Sequence, residues 1–591
     1  MDQKINPKEF DKILDNYPEM DKNKANRIIR DLQDVIDPRF VTGDWAARVP
    51  YSRDQMGGGG SKIDQFQVPD IVVIPDSVGD VAHTCQIALK YGVPVLPVST
   101  GANVCGVAVP IFRGIMIDFK RMNRILEIDE DGLTITVEPY INYSRVQAEL
   151  EPLGYRINVP GAPNSASVVG NNFFVGDKYF SAKFGYGPME IVGAEFVLPN
   201  GKIIRTGSLA IDPIENSDIP EYVPGKPSEP AKSPGRVSVH AWGPDMTGLP
   251  YQSVGGNGIV TKLCIKIYPL TKSSRILIYG FHDLKNLTKC LNEICGREIG
   301  YGGIVNGPMY SIPALVHSNA DMKILLDIFE HSGKALLKVL KAFLVNPTLP
   351  FRKGYREILS GLMGINGRNF STEIFLFGTE RKVDLDFKRT EKIMADKKLT
   401  SEKPGNGSGL AKHLFWKYNK GANPEYLYKV FKMMGLKDYR LDWQLRMGAM
   451  WDYNEVPTRI MRKAAGFVLQ SPRMPFGKMH WAFDIFLDVL RKANYPGVNE
   501  GNWSTYINSG SGPHYACLEL DMIYDNKSQS EKDRIFQMLS DIMMELMKKG
   551  IYFPHNLRLA RDFVEQIMMP KVWALTKEIR EAFQATVLGP Y

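Results

Sequence analysis

The stretch Pro94–Pro110, PVLPVSTGANVCGVAVP, decides the fold. A short apolar strand, PVLPVS, runs into Ser99-Thr100-Gly101-Ala102-Asn103, and Gly106 follows. Small residues let backbone approach a ligand closely, and successive amides of such a turn point into one concavity, a nest for phosphate oxygens. Alone this is weak, because many glycine-containing loops after strands are simply turns. Working outward, IVVIP reads as a buried strand, Val78–Tyr91 as an amphipathic helix, and GIMIDF and LTITVEP as two more strands. Asn142–Leu153 reads as a helix. Ala194–Gly207, AEFVLPNGKIIRTG, reads as a hairpin turning at Asn200-Gly201, and GIVTKLCIKIYPL adds a strand. Strands alternating with helices, then Gly/Asn/Ser-rich loops, give an α+β or α/β nucleotide-binding layout.

Several further blocks follow in a fixed order. Pro97–Asn103 fits a PxSxGxN loop; Ile117-Asp118-Phe119 and MNRILEID (Met122–Asp129) come next. Then come Val137-Glu138-Pro139 with Tyr140 in place of a Gly, SVVGN (Ser167–Asn171), GAEFVLPNGKIIRTG, and QSVGGNGIVTK (Gln252–Lys262). From about Tyr51 to Leu270 the chain resembles the FAD domain of the vanillyl-alcohol oxidase and para-cresol methylhydroxylase superfamily. The resemblance implies a two-lobed FAD-binding domain at residues 51–270 and an α/β substrate (cap) domain at 271–545. It also implies a C-terminal segment, 546–591, returning to the FAD domain; ahead of the resemblance, Met1–Arg48 read from their apolar spacings as charged amphipathic helices, an N-terminal helical segment of residues 1–50. FAD would lie with its diphosphate over Pro97, Ser99, Thr100, Gly101, Ala102, Asn103, Val104 and Cys105. Ser167, Val168, Gly170 and Asn171 would follow the ribityl chain and ring, and Gly258, Ile259 and Val260 the adenine end or the ring.

WGPDMTGLPYQS (Trp242–Ser253) resembles the para-phenol-oxidising branch, whereas YSRDQM (Tyr51–Met56) and Lys571–Phe583 resemble the glycolate and D-lactate dehydrogenase branch. Neither reaction centre is carried over intact. Cys105 falls where the first phenolate-binding tyrosine belongs, the Tyr-Arg pair falls on Leu557 and Arg558, and the acidic residue near the flavin falls near Ala162. Around His514 and His555 no second histidine stands at ligand spacing, so no metal is expected. The covalent-link position falls near Phe467, so FAD is expected to be held non-covalently.

Arg558 is the first catalytic candidate, since a guanidinium facing a flavin can grip a carboxylate or phenolate by paired hydrogen bonds; the alternative is a helix-surface arginine in NLRLARD. His514 or His555 could take a hydroxyl proton as hydride leaves, or be satisfied loop histidines; Tyr552 and Tyr515 are further candidates. Cys517 reads as a small packing residue. The resemblance implies a flavin oxidoreductase acting on an aromatic alcohol, an alkylphenol-like compound or a hydroxy acid. Electrons would pass to O2, a cytochrome or an iron–sulfur subunit, and the family habit implies a homodimer. A non-catalytic flavoprotein subunit and an ether-lipid synthase-type flavoprotein remain alternatives.

Composition adds bounds. The 591 residues exceed one hydrophobic core, so two or more domains are expected. Hydrophobic residues at 44% and charged residues at 23% are ordinary for a globular chain and exclude extended disorder. The net charge of +8 is interleaved rather than blocked. It suits a solvated basic surface, or steering of an anionic substrate or acidic redox partner, and suggests no nucleic-acid partner. Six scattered cysteines with no CxxC pair read as reduced thiols. No secretory signal or bilayer-length apolar run is visible, so a cytoplasmic protein without a transmembrane segment is expected.

Overall fold

The computed structural model describes residues 18–52, 68–102, 107–158, 160, 165–174, 176, 178–211, 245–271, 273–307, 370–401, 404–406, 466–495, 504–524, 528–551 and 569–582. Helix α1 (Lys22–Gln33) starts where the Asp21 carboxylate accepts from the amides of Asn23 (3.0 Å) and Lys24 (3.1 Å). It buries Ile28 and Leu32. The helical pattern expected as far as Arg48 is interrupted: after Gln33 the chain turns through Asp37-Pro38 into β1 (Val41–Thr42), which pairs with β2 (Ile71–Val73), and a four-residue helix resumes at Trp45–Arg48. Helix α2 (Val78–Tyr91) has the expected bounds, capped by Ser77 and terminated by Gly92 at φ +61°. Strands β3 (Val95–Val98) and β4 (Ile115–Asp118) complete a four-stranded sheet of order β1-β2-β4-β3, parallel except for β1.

A second sheet begins with β5 (Ile125–Asp129) and β6 (Thr134–Val137). Helix α3 (Tyr143–Leu150), shorter than the sequence pattern suggested, gives way at Pro152 to a single 3₁₀ turn. Strand β7 (Tyr155–Arg156) stands apart from that sheet, and α4 (Val168–Phe173), α5 (Ser181–Phe184) and α6 (Gly187–Glu190) follow. The predicted hairpin is β8 (Ile191–Val197) and β9 (Ile203–Gly207), with Gly201 at φ +82° in the turn. Strand β10 (Ile259–Lys266) inserts between β6 and β8, giving the antiparallel order β5-β6-β10-β8-β9. The short β11 (Tyr268–Pro269) pairs back with β7.

The third sheet draws on later strands. β12 (Ser273–Phe281), β13 (Gly303–Asn306), β14 (Phe370–Gly378), β15 (Gly405–Asn406), β16 (Gly466–Gln470), β18 (Ser504–Ser511) and β19 (Tyr515–Tyr524) are ordered β15-β12-β14-β13-β18-β19-β16. β17 (Arg473–Met474) lies off this path, on β19. Ser401–Gly409 read as a surface loop, but Gly405 and Asn406 pair with Gly280 and Tyr279 and extend the sheet by one short strand. Helices α7 (Leu284–Gly296), α8 (Glu380–Met394), α9 (Met479–Lys492) and α10 (Gln529–Lys548) share one core with this sheet. Ile304, Phe375 and Phe377 instead pack into the core of the first lobe. The resulting architecture is the expected α+β fold of two lobes. The last described element, α11 (Pro570–Ala582), turns back: Arg580 Nε donates to Asn257 Oδ1 at 3.0 Å.

Cys85, Cys264, Cys290, Cys295 and Cys517 are buried and outside any disulfide. Among the described residues no helix is long and apolar enough to cross a membrane, and no His/Cys/Asp/Glu cluster gathers as metal ligands would. The sequence also reads as helical at Ile324–Leu344 and Tyr426–Met434, as an exposed insertion at Ile211–Arg236 and as a flexible loop at Gly57–Gly60; apart from Ile211 these stretches lie outside the described residues.

Candidate functional site

Strand β3 lies at the open edge of the first sheet, and its last ladder contact is the Phe119 amide donating to Val98 O at 3.1 Å. Beyond it the chain leaves the sheet. Gly101 takes φ +66°, a conformation that glycine adopts without the strain a Cβ would bring. No hydrogen bond among the described residues uses the amides of Ser99, Thr100, Gly101 or Ala102, and these residues are partly exposed. Asn103, Val104 and Cys105 lie outside the described residues.

Two distant segments close on this turn. Ser167 caps α4: its Oγ accepts from the Gly170 amide at 2.9 Å and donates to Pro139 O at 2.6 Å. That pair of bonds ties the SVVGN block to the Val-Glu-Pro strand end. A Cβ on Gly170 would stand 3.3 Å from Ser99 Oγ, so the helix start lies directly against the turn. From the other side comes Gly255, at φ +88°, where a Cβ would fall 2.8 Å from Pro97 Cδ. The SVVGN and QSVGGNGIVTK blocks thus abut Ser99 and Pro97. Of the last block, Ile259 turns into the core at 1% exposure and Val260 is half-buried, while Thr261 donates to Glu195 Oε1 at 3.0 Å. Only the Gly255–Gly258 turn ahead of them reaches the cradle.

The donor set fits a diphosphate. Among the described residues nothing accepts from the four amides, Gly101 is left-handed, and glycines hold the neighbouring backbone close, as an extended anionic group requires.

The far end of α4 leads to a second set of residues. A Cβ on Gly187 would lie 2.8 Å from Asn172 Cα, which seats the Tyr186-Gly187 peptide on the helix. The Tyr186 ring stands 5.1 Å from that of Tyr515 on β19, in the other lobe. The Arg473 guanidinium lies 5.3 Å from the Tyr515 ring, held there because Arg473 pairs in register with Cys517. Arg473 is only 6% exposed, so its charge faces the protein interior, between the lobes.

Of the catalytic candidates read from sequence, His514 is exposed in the β18–β19 turn, its amide donating to Ser511 O at 3.1 Å. Its neighbour Tyr515, and not His514 itself, is the residue that faces the other lobe. Arg558, His555 and Tyr552 lie outside the described residues. Arg473 and Tyr186 escaped the sequence reading. The available signal was a charge inside the apolar, proline-flanked run GFVLQSPRMPF, where a solvated arginine has no place.

Residues 69–207 match the FAD binding domain family. A glycolate oxidase subunit of Bacillus subtilis is 28% identical over 258 residues, 43% of this chain and 47% of that protein. The 1'-carboxy-chondrochloren decarboxylase of Chondromyces crocatus is 32% identical over 219 residues, 36% of each chain. The matched part is thus about half or less of the length of these curated relatives. Likeness of fold extends much further. A crystal structure of p-cresol methylhydroxylase superposes with a TM-score of 0.69 at 18% identity, covering 97% of both chains. The 4-ethylphenol oxidase of Gulosibacter chungangensis gives 0.69 at 17% identity and 96% coverage of both. An alkyldihydroxyacetonephosphate synthase gives 0.57 at 14% identity, over 97% of this chain and 86% of that one. The chain is therefore an FAD-binding protein, with its FAD-binding domain at residues 69–207 and the overall fold of p-cresol methylhydroxylase.

Proposed function

We propose that this protein is an FAD-dependent oxidoreductase, a dehydrogenase or oxidase that moves hydride from a carbinol or activated C–H of a small organic substrate to flavin N5. The observation that carries this reading is the line formed by the left-handed turn at Ser99–Ala102, helix α4, and the Tyr186/Tyr515/Arg473 group between the lobes. Bound FAD supplies the two-electron acceptor. The chain's own residues do the rest. The Ser99–Ala102 amides hold the diphosphate, Ser167–Asn171 border the path from it to the ring, and the paired tyrosines wall the reaction space from water. Arg473 holds an anionic group of the substrate by charge-assisted hydrogen bonds.

Arg473 favours hydroxy acids within the substrate range, which otherwise spans aromatic alcohols and alkylphenol-like compounds. That agrees with the names of the matching glycolate oxidase subunit and of a probable D-lactate dehydrogenase from Danio rerio, 24% identical over 249 residues. Retention of FAD without a covalent link, O2 or a cytochrome or iron–sulfur subunit as acceptor, a homodimer, and division at residues 51–270, 271–545 and 546–591 belong to the same proposal. The test is the visible spectrum of the purified protein, followed by anaerobic titration with 2-hydroxy acids, benzylic alcohols and alkylphenols. Bleaching of the flavin band by one class supports the reading and identifies the branch. A flavin that no class bleaches would make the chain a non-catalytic flavoprotein subunit, and flavin left in the acid-precipitated pellet would refute non-covalent binding.

A further inference from the structure

Behind α4 lies a charged pair for which the reaction outlined above has no use. Lys178 and Glu190 form an ion pair with both side chains at 0% exposure. Lys178 Nζ also donates to Asn172 Oδ1 at 2.9 Å, and the Tyr268 hydroxyl donates to Glu190 Oε1 at 3.0 Å. Asn172 Nδ2 donates to the Tyr143 hydroxyl at 3.3 Å, and that hydroxyl donates to Asn171 Oδ1 at 2.8 Å. The members come from α3, α4, α6, β11 and the loop at Lys178, so the network joins five segments of the FAD lobe. Burial pushes the Lys178 ammonium down and the Glu190 carboxyl up, and in each case the partner opposes the shift.

Stability alone does not explain such a pair. Two charges withdrawn completely from water lose about as much solvation as their attraction returns, and apolar replacements are often neutral or better. Position offers the explanation. Asn171 and Asn172 directly follow Gly170, which abuts Ser99, and Asn172 seats the Tyr186-Gly187 peptide. The pair therefore grips the middle of the segment that links the diphosphate cradle to the Tyr186/Tyr515/Arg473 group. Helix α4 is only about 9 Å long at 1.5 Å per residue, so Lys178, bonded to its Asn172, stands within about one helix length of the contact between Gly170 and Ser99.

We propose that Lys178 is a positioning residue for the flavin, fixing α4 through Asn172, and that cancellation of its charge by Glu190 sets the reduction potential of the bound cofactor. This rests on the FAD reading above. Two-electron reduction with uptake of one proton leaves the flavin one charge more negative, so a nearby cation released from its partner favours the reduced form.

The experiment measures, on the holoprotein, the flavin midpoint potential by spectroelectrochemical titration, together with FAD affinity for the apoprotein. Glu190→Gln is expected to move the potential upward with FAD affinity nearly unchanged. Lys178→Met is expected to weaken FAD about tenfold and to move the potential downward, because the Glu190 carboxylate is left without its cation. A brace without influence on the flavin would lower the melting temperature of both variants and leave both potentials at the wild-type value, which overturns the proposal. Should Glu190→Gln fail to fold, the near-isosteric Asn172→Asp adds a carboxylate beside Lys178. A downward shift then supports the proposal and an unmoved potential overturns it. Wild-type protein that takes up no FAD would defeat the functional reading and this inference together, whereas a flavin-loaded wild type with insensitive variants defeats this inference alone.

Discussion

Gly101 shows how much the cradle asks of a single position. Its φ of +66° disfavours any side chain, and a β-branched one most of all. Gly101→Val is expected to strain the turn by about 1–2 kcal/mol and to reorient the amides of Ser99–Ala102. FAD titration of the apoprotein should show affinity falling at least about tenfold, and unchanged affinity would remove Gly101 from the site. At this scale the sequence was readable in the backbone, where a strand does run into a turn at Gly101. Glycine and small residues at fixed spacing advertise an amide cradle, because few other residues permit one. Side-chain chemistry was less readable. Arg473 and Tyr515 sit on strands whose register against each other, Arg473 opposite Cys517, depends on pairings that local sequence does not encode.

Among elements, α2 and the β8–β9 hairpin kept the bounds or turn read from sequence because each carries its own punctuation: Ser77 and Gly92 for the helix, Asn200-Gly201 for the hairpin. β15 was not readable, since a glycine and an asparagine become a strand only when Tyr279 and Gly280 offer an edge. The contact between α4 and the Tyr186-Gly187 peptide is likewise tertiary. A methyl group on Gly187 would lie 2.8 Å from Asn172 Cα and 2.9 Å from its carbonyl oxygen, both backbone atoms that cannot swing aside. Gly187→Ala is therefore expected to lever Tyr186 off Tyr515 while leaving the Ser99 turn intact. The variant should keep FAD but show an altered flavin spectrum and slower anaerobic reduction; a spectrum and rate matching wild type would sever Tyr186 from the site.

At the scale of the molecule, the lobes are joined by an unusual cation. Arg156, 1% exposed, places its guanidinium 4.7 Å from the Phe180 ring and 5.7 Å from Phe184 in one lobe, and 4.8 Å from Tyr301 and 4.9 Å from Phe377 in the other. Desolvation among these rings lowers its pKa to about 10. Arg156→Ala would empty this cage and is expected to cost about 2–4 kcal/mol, split a single thermal transition into two, and expose the junction to limited proteolysis. A single transition at the wild-type temperature would show that the lobes are held elsewhere. Two lobes were legible from length and from the change of pattern near residue 270, yet the cage was not, because its five members are scattered from residue 156 to residue 377.

The order β5-β6-β10-β8-β9 has a consequence for how the protein can be made and cut. The middle strand of that sheet is the last of the five to leave the ribosome, so two hairpin-like fragments must wait, unjoined, until Ile259–Lys266 emerges to zip them together. An excised module stopping at residue 207, where the family match ends, would lack its own central rib and should be recovered as an aggregate rather than as a yellow domain.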